Sequence, residues 1–144
     1  MILGNGDIAT ALREGNVDRK DWIFFAAGVS KSQETRASEY QRELDLLNDF
    51  PHVAHIVYFS SLCVFYSDTR YARHKRDIEA LLCGWWETYT IVRLGNITWG
   101  SNNPHTLINT LRARARLGQP PDIQDVYRYV VDRDEFLHWI SLIP

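Results

Sequence analysis

The stretch Trp22-Ile23-Phe24-Phe25-Ala26-Ala27-Gly28 is a continuous apolar run of strand length that ends in small residues. An uninterrupted run of this kind is typical of a strand that is buried on both faces, as in a parallel sheet covered by helices. Comparable runs occupy residues 1–3, 55–59 and 89–94, and a late one is predicted at residues 126–131.

Helical patterns separate these runs. Apolar residues recur at helical spacing in five segments, which are residues 7–14, 36–49, 69–83, 105–117 and 133–142. The alternation runs through the chain without a repeat, a low-complexity tract or a linker. It predicts an α/β fold with a doubly wound parallel sheet, in one domain over residues 1–144.

The composition is that of an ordinary globular protein. The 144 residues are 45% apolar and 24% charged, with a formal net charge of −2 and a pI of about 6.2, which argues against a dedicated nucleic-acid binder. No apolar run approaches the roughly 20 residues of a membrane span. Cys63 and Cys83 provide neither a disulfide framework nor metal-ligand spacing, so we predict no metal site and a cytoplasmic protein.

Small or polar residues stand where the predicted strands end, which is where parallel α/β sheets bind their ligands. They are Gly4-x-Gly6-x-x-Ala9, Ala26-Ala27-Gly28, Ser60-Ser61 and Gly95-Asn96. The glycine turn suits a dinucleotide pyrophosphate at a helix N-terminus, but an ordinary strand-to-helix turn is an equal alternative. Asp7 would repel a pyrophosphate unless its carboxylate turns towards its own helix.

Tyr71 and Lys75 are four residues apart and share one face of the predicted helix 69–83. A Lys ammonium beside a phenol lowers the phenol pKa, and such a Tyr can exchange a proton with a carbonyl or alcohol oxygen. The alternative is a solvated helix face carrying Arg70, Arg73 and Arg76. His74 is interpreted as an exposed helical His rather than a proton relay.

Together these segments resemble the short-chain dehydrogenase/reductase superfamily, in its extended branch of sugar-nucleotide epimerases, dehydratases and reductases. The resembling segments cover nearly the whole chain, in order. They are Asp21 to Ala27, Val57 to Phe65 with Ser61 at the catalytic Ser/Thr, Tyr71-x-x-x-Lys75, Arg93 to Gly100, and Tyr127 to Phe136.

The resemblance implies a Rossmann-like domain that binds NAD or NADP and transfers hydride at a carbonyl or alcohol carbon of a small molecule or a nucleotide-linked sugar. Ser61, Tyr71 and Lys75 would be the catalytic residues, with Tyr71 as general acid/base. Tyr71 and Lys75 would also contact the cofactor. The other implied cofactor-binding residues are Gly4, Gly6, Asp7, Ile8, Ala26, Ala27, Gly28, Leu94, Gly95, Asn96 and Ile97.

The chain departs from that family in length. Only residues 14–20 separate the first helix from the strand at Trp22, where a family member has two further strands and a helix. The missing elements would read the adenosine ribose, so the choice between NAD and NADP is open. Arg19 and Lys20 are candidates for a 2′-phosphate, although a solvated loop is the favoured interpretation. The first strand becomes a sheet edge, and the C-terminal substrate region is vestigial.

Two other functions remain open at this point: an NAD(P)(H)-binding sensor with little turnover, and an interaction module without cofactor. The resemblance also implies a homodimer through helices 36–49 and 69–83. Their apolar residues could serve either the core or an interface; they are Leu44, Leu47, Ile78, Leu81 and Leu82.

Overall fold

The structure, a computed structural model, describes residues 1–123 and 125–144. The elements follow one another as β1 (Ile2–Leu3), α1 (Asp7–Glu14), β2 (Trp22–Phe25), α2 (Ala37–Asn48), β3 (His55–Ser61), a 3₁₀ helix (Leu62–Phe65), α3 (Arg70–Trp85), β4 (Tyr89–Leu94), β5 (Asn96–Ile97), α4 (Leu107–Arg116), β6 (Val130–Val131) and α5 (Arg133–Ser141).

The main sheet has four parallel strands in the order β1-β2-β3-β4. Because each crossover returns to the same end of the sheet, all four strands place their carboxyl ends at one edge. A second, two-stranded parallel sheet pairs β5 with β6. The predicted α/β fold with a reduced Rossmann-like parallel sheet is confirmed.

Alternate residues of the strands supply two cores, one on each face of the sheet. On one face Phe24 and Val57 pack with α1 and α5, through Leu12 and Phe136. On the other face Ile23 and Tyr58, among others, pack with α2 and α3. The central strands β2 and β3 are therefore apolar at consecutive positions, because both of their faces are covered by a helical layer.

The late strand is shorter than predicted. Strand β6 comprises Val130–Val131, whereas residues 126–129 are exposed and outside any strand. Their alternation of aromatic and polar residues resembles a strand, but apart from the Tyr129 carbonyl, which accepts from the Asn96 amide at 2.9 Å, they are not paired with a strand in the described part of the chain. Gln124 lies outside the described residues. The structure also adds β5 and the 3₁₀ helix, which are too short to give a periodic pattern in the sequence.

The exposed edge of the sheet at β1 is covered by Arg13. Phe24 and Ala26 donate backbone hydrogen bonds to Met1 and Leu3 on the inner side of β1. On the outer side Arg13 Nη2 donates to the carbonyl oxygens of Ile2 (3.3 Å) and Gly4 (2.7 Å). One guanidinium thus satisfies acceptors that a further strand would otherwise satisfy.

In the loop before β2, the Arg19 side chain is packed against the protein rather than solvated. The Arg19 guanidinium donates to the carbonyl oxygens of Ile143 (2.6 Å) and Ser141 (2.9 Å), and it lies 4.4 Å from the Trp22 ring centroid. The solvated-loop interpretation is therefore wrong for Arg19, which anchors the end of α5 to the loop before β2.

The apolar residues proposed for a dimer interface lie in the core. Leu47, Ile78 and Leu82 are buried in the cluster on the α2–α3 face, and Leu44 and Leu81 pack against it. Leu47, Ile78 and Leu82 are thus not available for a dimer interface, whereas Leu44 and Leu81 are partly buried, and the homodimer stays a prediction. Within the described part of the chain, no helix is long and apolar enough to cross a membrane.

Candidate functional site

A cavity of about 540 Å³ lies at the carboxyl edge of the main sheet. Its wall brings together Ser61 at the end of β3 with Tyr71 and Lys75 from α3. The glycine turn and the β4–β5 corner also line it. The expected cofactor residues that face this cavity are Gly6, Asp7, Ile8, Ala26, Gly28, Leu94, Gly95, Asn96 and Ile97. Gly4 and Ala27 line a second cavity beside it.

The glycine turn is shaped by the close approach of β1 and β2. Gly4 has a φ of +108°, and a Cβ there would collide with the Ala26 carbonyl, so no other residue fits without strain. At Gly6, in contrast, a Cβ would meet no atom within 4 Å. Gly6 is the N-cap of α1, and because it has no side chain, the start of that helix has no side-chain cap. The first-turn amides therefore face open space, as an anion requires.

The Asp7 carboxylate, in the wall of the cavity, is bonded to the loop after β5. Its Oδ1 accepts a hydrogen bond from the Asn102 backbone amide at 3.1 Å, and Gly100 packs against its side chain with a φ of +79°. The Trp99 indole N–H donates to the Asp7 carbonyl oxygen at 3.2 Å. The Asp7 carboxylate therefore bonds the loop after β5 and not its own helix, and Asp7 stays in the wall of the cavity.

The two serines at the end of β3 have different partners. Ser60 is buried, and its hydroxyl donates to Glu79 Oε1 at 2.6 Å; Glu79 also forms an ion pair with Arg93 at 2.7 Å. Ser61 caps the 3₁₀ helix by accepting from the Cys63 amide at 3.2 Å, and its hydroxyl also interacts with Tyr71. Ser60 is thus committed to Glu79, whereas Ser61 is the serine that influences the pKa of Tyr71.

The pKa of Tyr71 moves opposite to the direction expected from Lys75. Burial raises it most, and Cys63 and the Glu43 carboxylate raise it further, whereas the hydrogen bond with Ser61 lowers it. The net result is a pKa well above the usual range for Tyr. The expected lowering by Lys75 is wrong because the Lys75 ammonium, 5.7 Å from the Tyr71 ring centroid, is already paired with another side chain.

That partner is Glu43, a fully buried carboxylate on α2. Its Oε1 accepts from Lys75 Nζ at 3.0 Å and from the Tyr58 hydroxyl at 2.6 Å. Its Oε2 accepts from the Val29 amide at 2.8 Å and lies 3.0 Å from His74 Nε2. Because a carboxylate only accepts, the Nε2–H form of His74 is the donor. We call Glu43, Tyr58, His74 and Lys75 the buried carboxylate network.

The network is strong enough to outweigh the cost of burying Glu43. Burial alone would raise the pKa of Glu43. The Lys75 ammonium and the hydrogen bonds from His74, Tyr58 and Val29 have a larger, opposite effect, so the pKa lies well below the usual range for Glu. The interpretation of His74 as an exposed helical residue is wrong, since His74 is 9% exposed and bound to Glu43.

Gly28 lies directly over the Glu43–Lys75 ion pair. A Cβ at Gly28 would come 2.6 Å from Glu43 Oε1 and 2.7 Å from Lys75 Nζ. Only a residue without a side chain lets the β2–α2 turn close over the pair, and the Val29 amide then reaches the carboxylate. The glycine after β2 therefore belongs to the same unit as Lys75.

Sequence reasoning missed the buried carboxylate network, although one signal was available. Tyr40, Glu43 and Leu47 follow helical spacing i, i+3, i+7, so a carboxylate interrupts the apolar stripe of α2. It also missed the loop after β5, which brings four further residues to the cavity: Asn102, Asn103, His105 and Thr106. Asn102 and Asn103 lie outside every predicted element, and the predicted helix 105–117, which starts at His105, gave no indication that its start faces the site.

Comparison with known proteins identifies a similar fold. No family model and no curated protein matches the chain. The capsular polysaccharide assembling protein CapF from Staphylococcus aureus has a similar crystal structure, with a TM-score of 0.57 and 22% sequence identity over 84% of this chain. This chain spans 35% of the length of that protein. At this identity the likeness shows a shared α/β fold.

Proposed function

We propose that this protein is an NAD(P)-dependent oxidoreductase of the short-chain dehydrogenase/reductase type, acting by hydride transfer at a carbonyl or alcohol carbon. The observation that carries the proposal is the single cavity in which Ser61, Tyr71 and Lys75 meet the glycine turn. These residues come from three separate segments, and only the fold brings them together. A cavity of about 540 Å³ is of the size that binds small molecules and cofactors.

The residues present fit a nicotinamide dinucleotide. The uncapped start of α1 at Gly6 offers backbone amides to a pyrophosphate, and the Asp7 carboxylate is already bonded to the Asn102 amide. Lys75 uses two of its three N–H donors on Glu43 and Tyr58, which leaves one without a partner among the described residues. That donor would hold a ribose hydroxyl, while Gly6, Ala26, Gly28 and residues 94–97 would surround the dinucleotide.

The cofactor would supply the hydride chemistry, and the chain would supply position and a proton. Tyr71 holds its proton on Oη across the neutral range because its pKa is raised. It would therefore act as the acid that protonates the oxygen of a carbonyl substrate. The Ser61 hydroxyl, already in contact with Tyr71, would hold the same oxygen in place. Carbonyl reduction starts from the protonated form of Tyr71, whereas alcohol oxidation needs Tyr71 as a base.

The substrate proposed is a small carbonyl compound or a nucleotide-linked sugar. Hydroxyl and amide side chains predominate around the outer part of the cavity, and such groups suit a polyhydroxylated molecule; they include Ser30, Ser32, Gln33, Ser67, Thr69, Asn102 and Asn103. The name of the similar protein, which assembles a capsular polysaccharide, agrees with this substrate class.

Replacing Tyr71 by Phe tests the proposal. We expect Tyr71→Phe to abolish NAD(P)H-dependent reduction of a carbonyl panel while NAD(P)H binding, followed by nicotinamide fluorescence, stays within about threefold of the wild type. Tyr89→Phe, on β4 and away from the cavity, is the matched control and should keep full turnover. Full turnover in Tyr71→Phe would reject the assignment.

A cofactor-binding sensor without turnover is the second candidate. The observation that favours it is the Glu43–Lys75 pair, which neutralises the ammonium that would otherwise promote Tyr71 ionisation. Tight NAD(P)H binding with no consumption across the carbonyl panel would support the sensor over the reductase.

A further inference from the structure

A second cavity of about 410 Å³ adjoins the first and shares Gly6, Ala26, Gly28 and Ser30 with it. It lies between the ends of β1 and β2 and the outer side of α2. Its walls are largely apolar and small, formed by Leu3, Ala26, Ala27 and Leu46 together with the glycine turn. A flat apolar ring that is joined to a ligand in the first cavity could enter here without displacing a charged group.

Arg42 carries the only charged side chain among the described residues that line this second cavity. Its place is fixed from α2, because Nη1 donates to the Ala27 carbonyl oxygen at 2.9 Å and Nε donates to Glu39 at 3.1 Å. A guanidinium has five N–H donors, so three remain without a partner among the described residues. The side chain is 42% exposed, which leaves those donors accessible to a ligand.

We infer that Arg42 is a specificity-determining residue that binds the 2′-phosphate of NADP(H), with the adenosine in the second cavity. The inference rests on the proposed function. A ribose diol is recognised by a carboxylate acceptor, whereas a 2′-phosphate needs donors that fit two of its oxygens. The lining of the second cavity offers Arg42 and, among the described residues, no carboxylate.

The described lining of the second cavity holds the Arg42 cation and no carboxylate to offset it. Arg42 pairs with Glu39 at 3.1 Å outside that lining, and Arg36, 3.7 Å from Glu39, is itself paired with Glu34 at 2.8 Å, so Arg42 alone provides the positive charge for a phosphate. The two candidates before β2 do not compete for this role. Arg19 is committed to the carbonyls of Ile143 and Ser141, and Lys20 lines neither cavity.

Nucleotide titration of the free protein tests the inference without any substrate. We expect NADPH to bind about 10- to 100-fold more tightly than NADH, as one charge-assisted contact predicts. In Arg42→Gln the two affinities should fall within about threefold of each other, mainly through weaker NADPH binding. Arg42→Lys keeps the charge without the planar fork, so it should keep part of the preference. Arg36→Gln, which changes the neighbouring cation outside the cavity, should leave the ratio unchanged.

A competition experiment locates the phosphate. In the wild type, 2′,5′-ADP should displace NADPH at least about tenfold better than 5′-AMP, and in Arg42→Gln the two should compete equally. Equal binding of NADPH and NADH by the wild type, or a preference that survives Arg42→Gln, would overturn the role of Arg42 while leaving the proposed function in place. Binding of neither nucleotide would instead reject the proposed function and this inference with it.

Discussion

Replacing Glu43 by Gln should destabilise the protein far more than any exposed charge substitution. The amide keeps the shape of the side chain, but it removes the charge that balances the buried Lys75 ammonium. It also turns an NH₂ group towards donors, since Val29 and His74 donate to one oxygen and Lys75 and Tyr58 to the other. Removing one partner of a buried ion pair costs about 3–5 kcal/mol.

That loss is a large part of the roughly 5–15 kcal/mol by which a domain of this kind is stable. The melting temperature should fall by roughly 6–20 °C for a chain of this length. Urea unfolding at pH 7, followed by circular dichroism and Trp fluorescence, measures the difference. Glu39→Gln on the same helix is the control, because its pairs with Arg36 and Arg42 are exposed and should contribute no more than about 1 kcal/mol.

Comparing the wild type with Glu43→Gln at different pH values also tests the direction in which their difference in stability changes. The folded-state pKa of Glu43 is lowered below its unfolded value of 4.5, so the carboxylate contributes its full stabilisation above that pH. The gap between wild type and Glu43→Gln should be constant at neutral pH and should narrow as the pH falls below 4.5. A Glu43→Gln protein within 1 kcal/mol of the wild type at pH 7, or a gap that widens in acid, would refute the reasoning.

Three further outcomes follow from the geometry. Carbonyl reduction should show no loss from Tyr71 ionisation between pH 6 and about pH 9 in initial-rate assays, since the pKa of Tyr71 is raised; a decline with a midpoint near pH 8 would contradict this. Gly28→Ala should lower the free energy of unfolding in urea by about 1–3 kcal/mol, because the added methyl group collides with the Glu43–Lys75 pair. At Gly6 an added methyl group meets open space, so Gly6→Ala should leave the free energy of unfolding unchanged and should weaken NADPH binding. Arg13→Gln should expose the β1 edge, and light scattering should then show association to larger species than the wild type forms at the same concentration; identical scattering would count against the capping role.

The strands and the outline of the site were readable from the sequence because both depend on local pattern. The run Trp22–Phe25 predicted a buried strand because four consecutive apolar residues suit a strand that is covered on both faces. The position of Ser61, Tyr71 and Lys75 around one cavity followed from the rule that parallel strands end at one edge.

The electrostatics of the site were not readable in the same way. Helical spacing placed Lys75 near Tyr71, but spacing within α3 says nothing about what α2 brings to the other side. Glu43 reaches Lys75 across 32 positions of sequence, and only the packing of α2 against α3 determines which side chain the ammonium meets. The same limit explains His74, whose burial depends on Glu43 and on the Tyr40 ring 4.8 Å away.

The guanidinium of Arg13 shows how a parallel sheet can end without its outermost strands. A strand edge presents its acceptor oxygens two residues apart, and a single planar cation on the following helix spans the pair at Ile2 and Gly4. A single side chain thus satisfies the open β1 edge of the sheet, which would otherwise require a further βαβ unit. In this chain the first crossover helix carries that residue in its last turn, beside the strand that it follows.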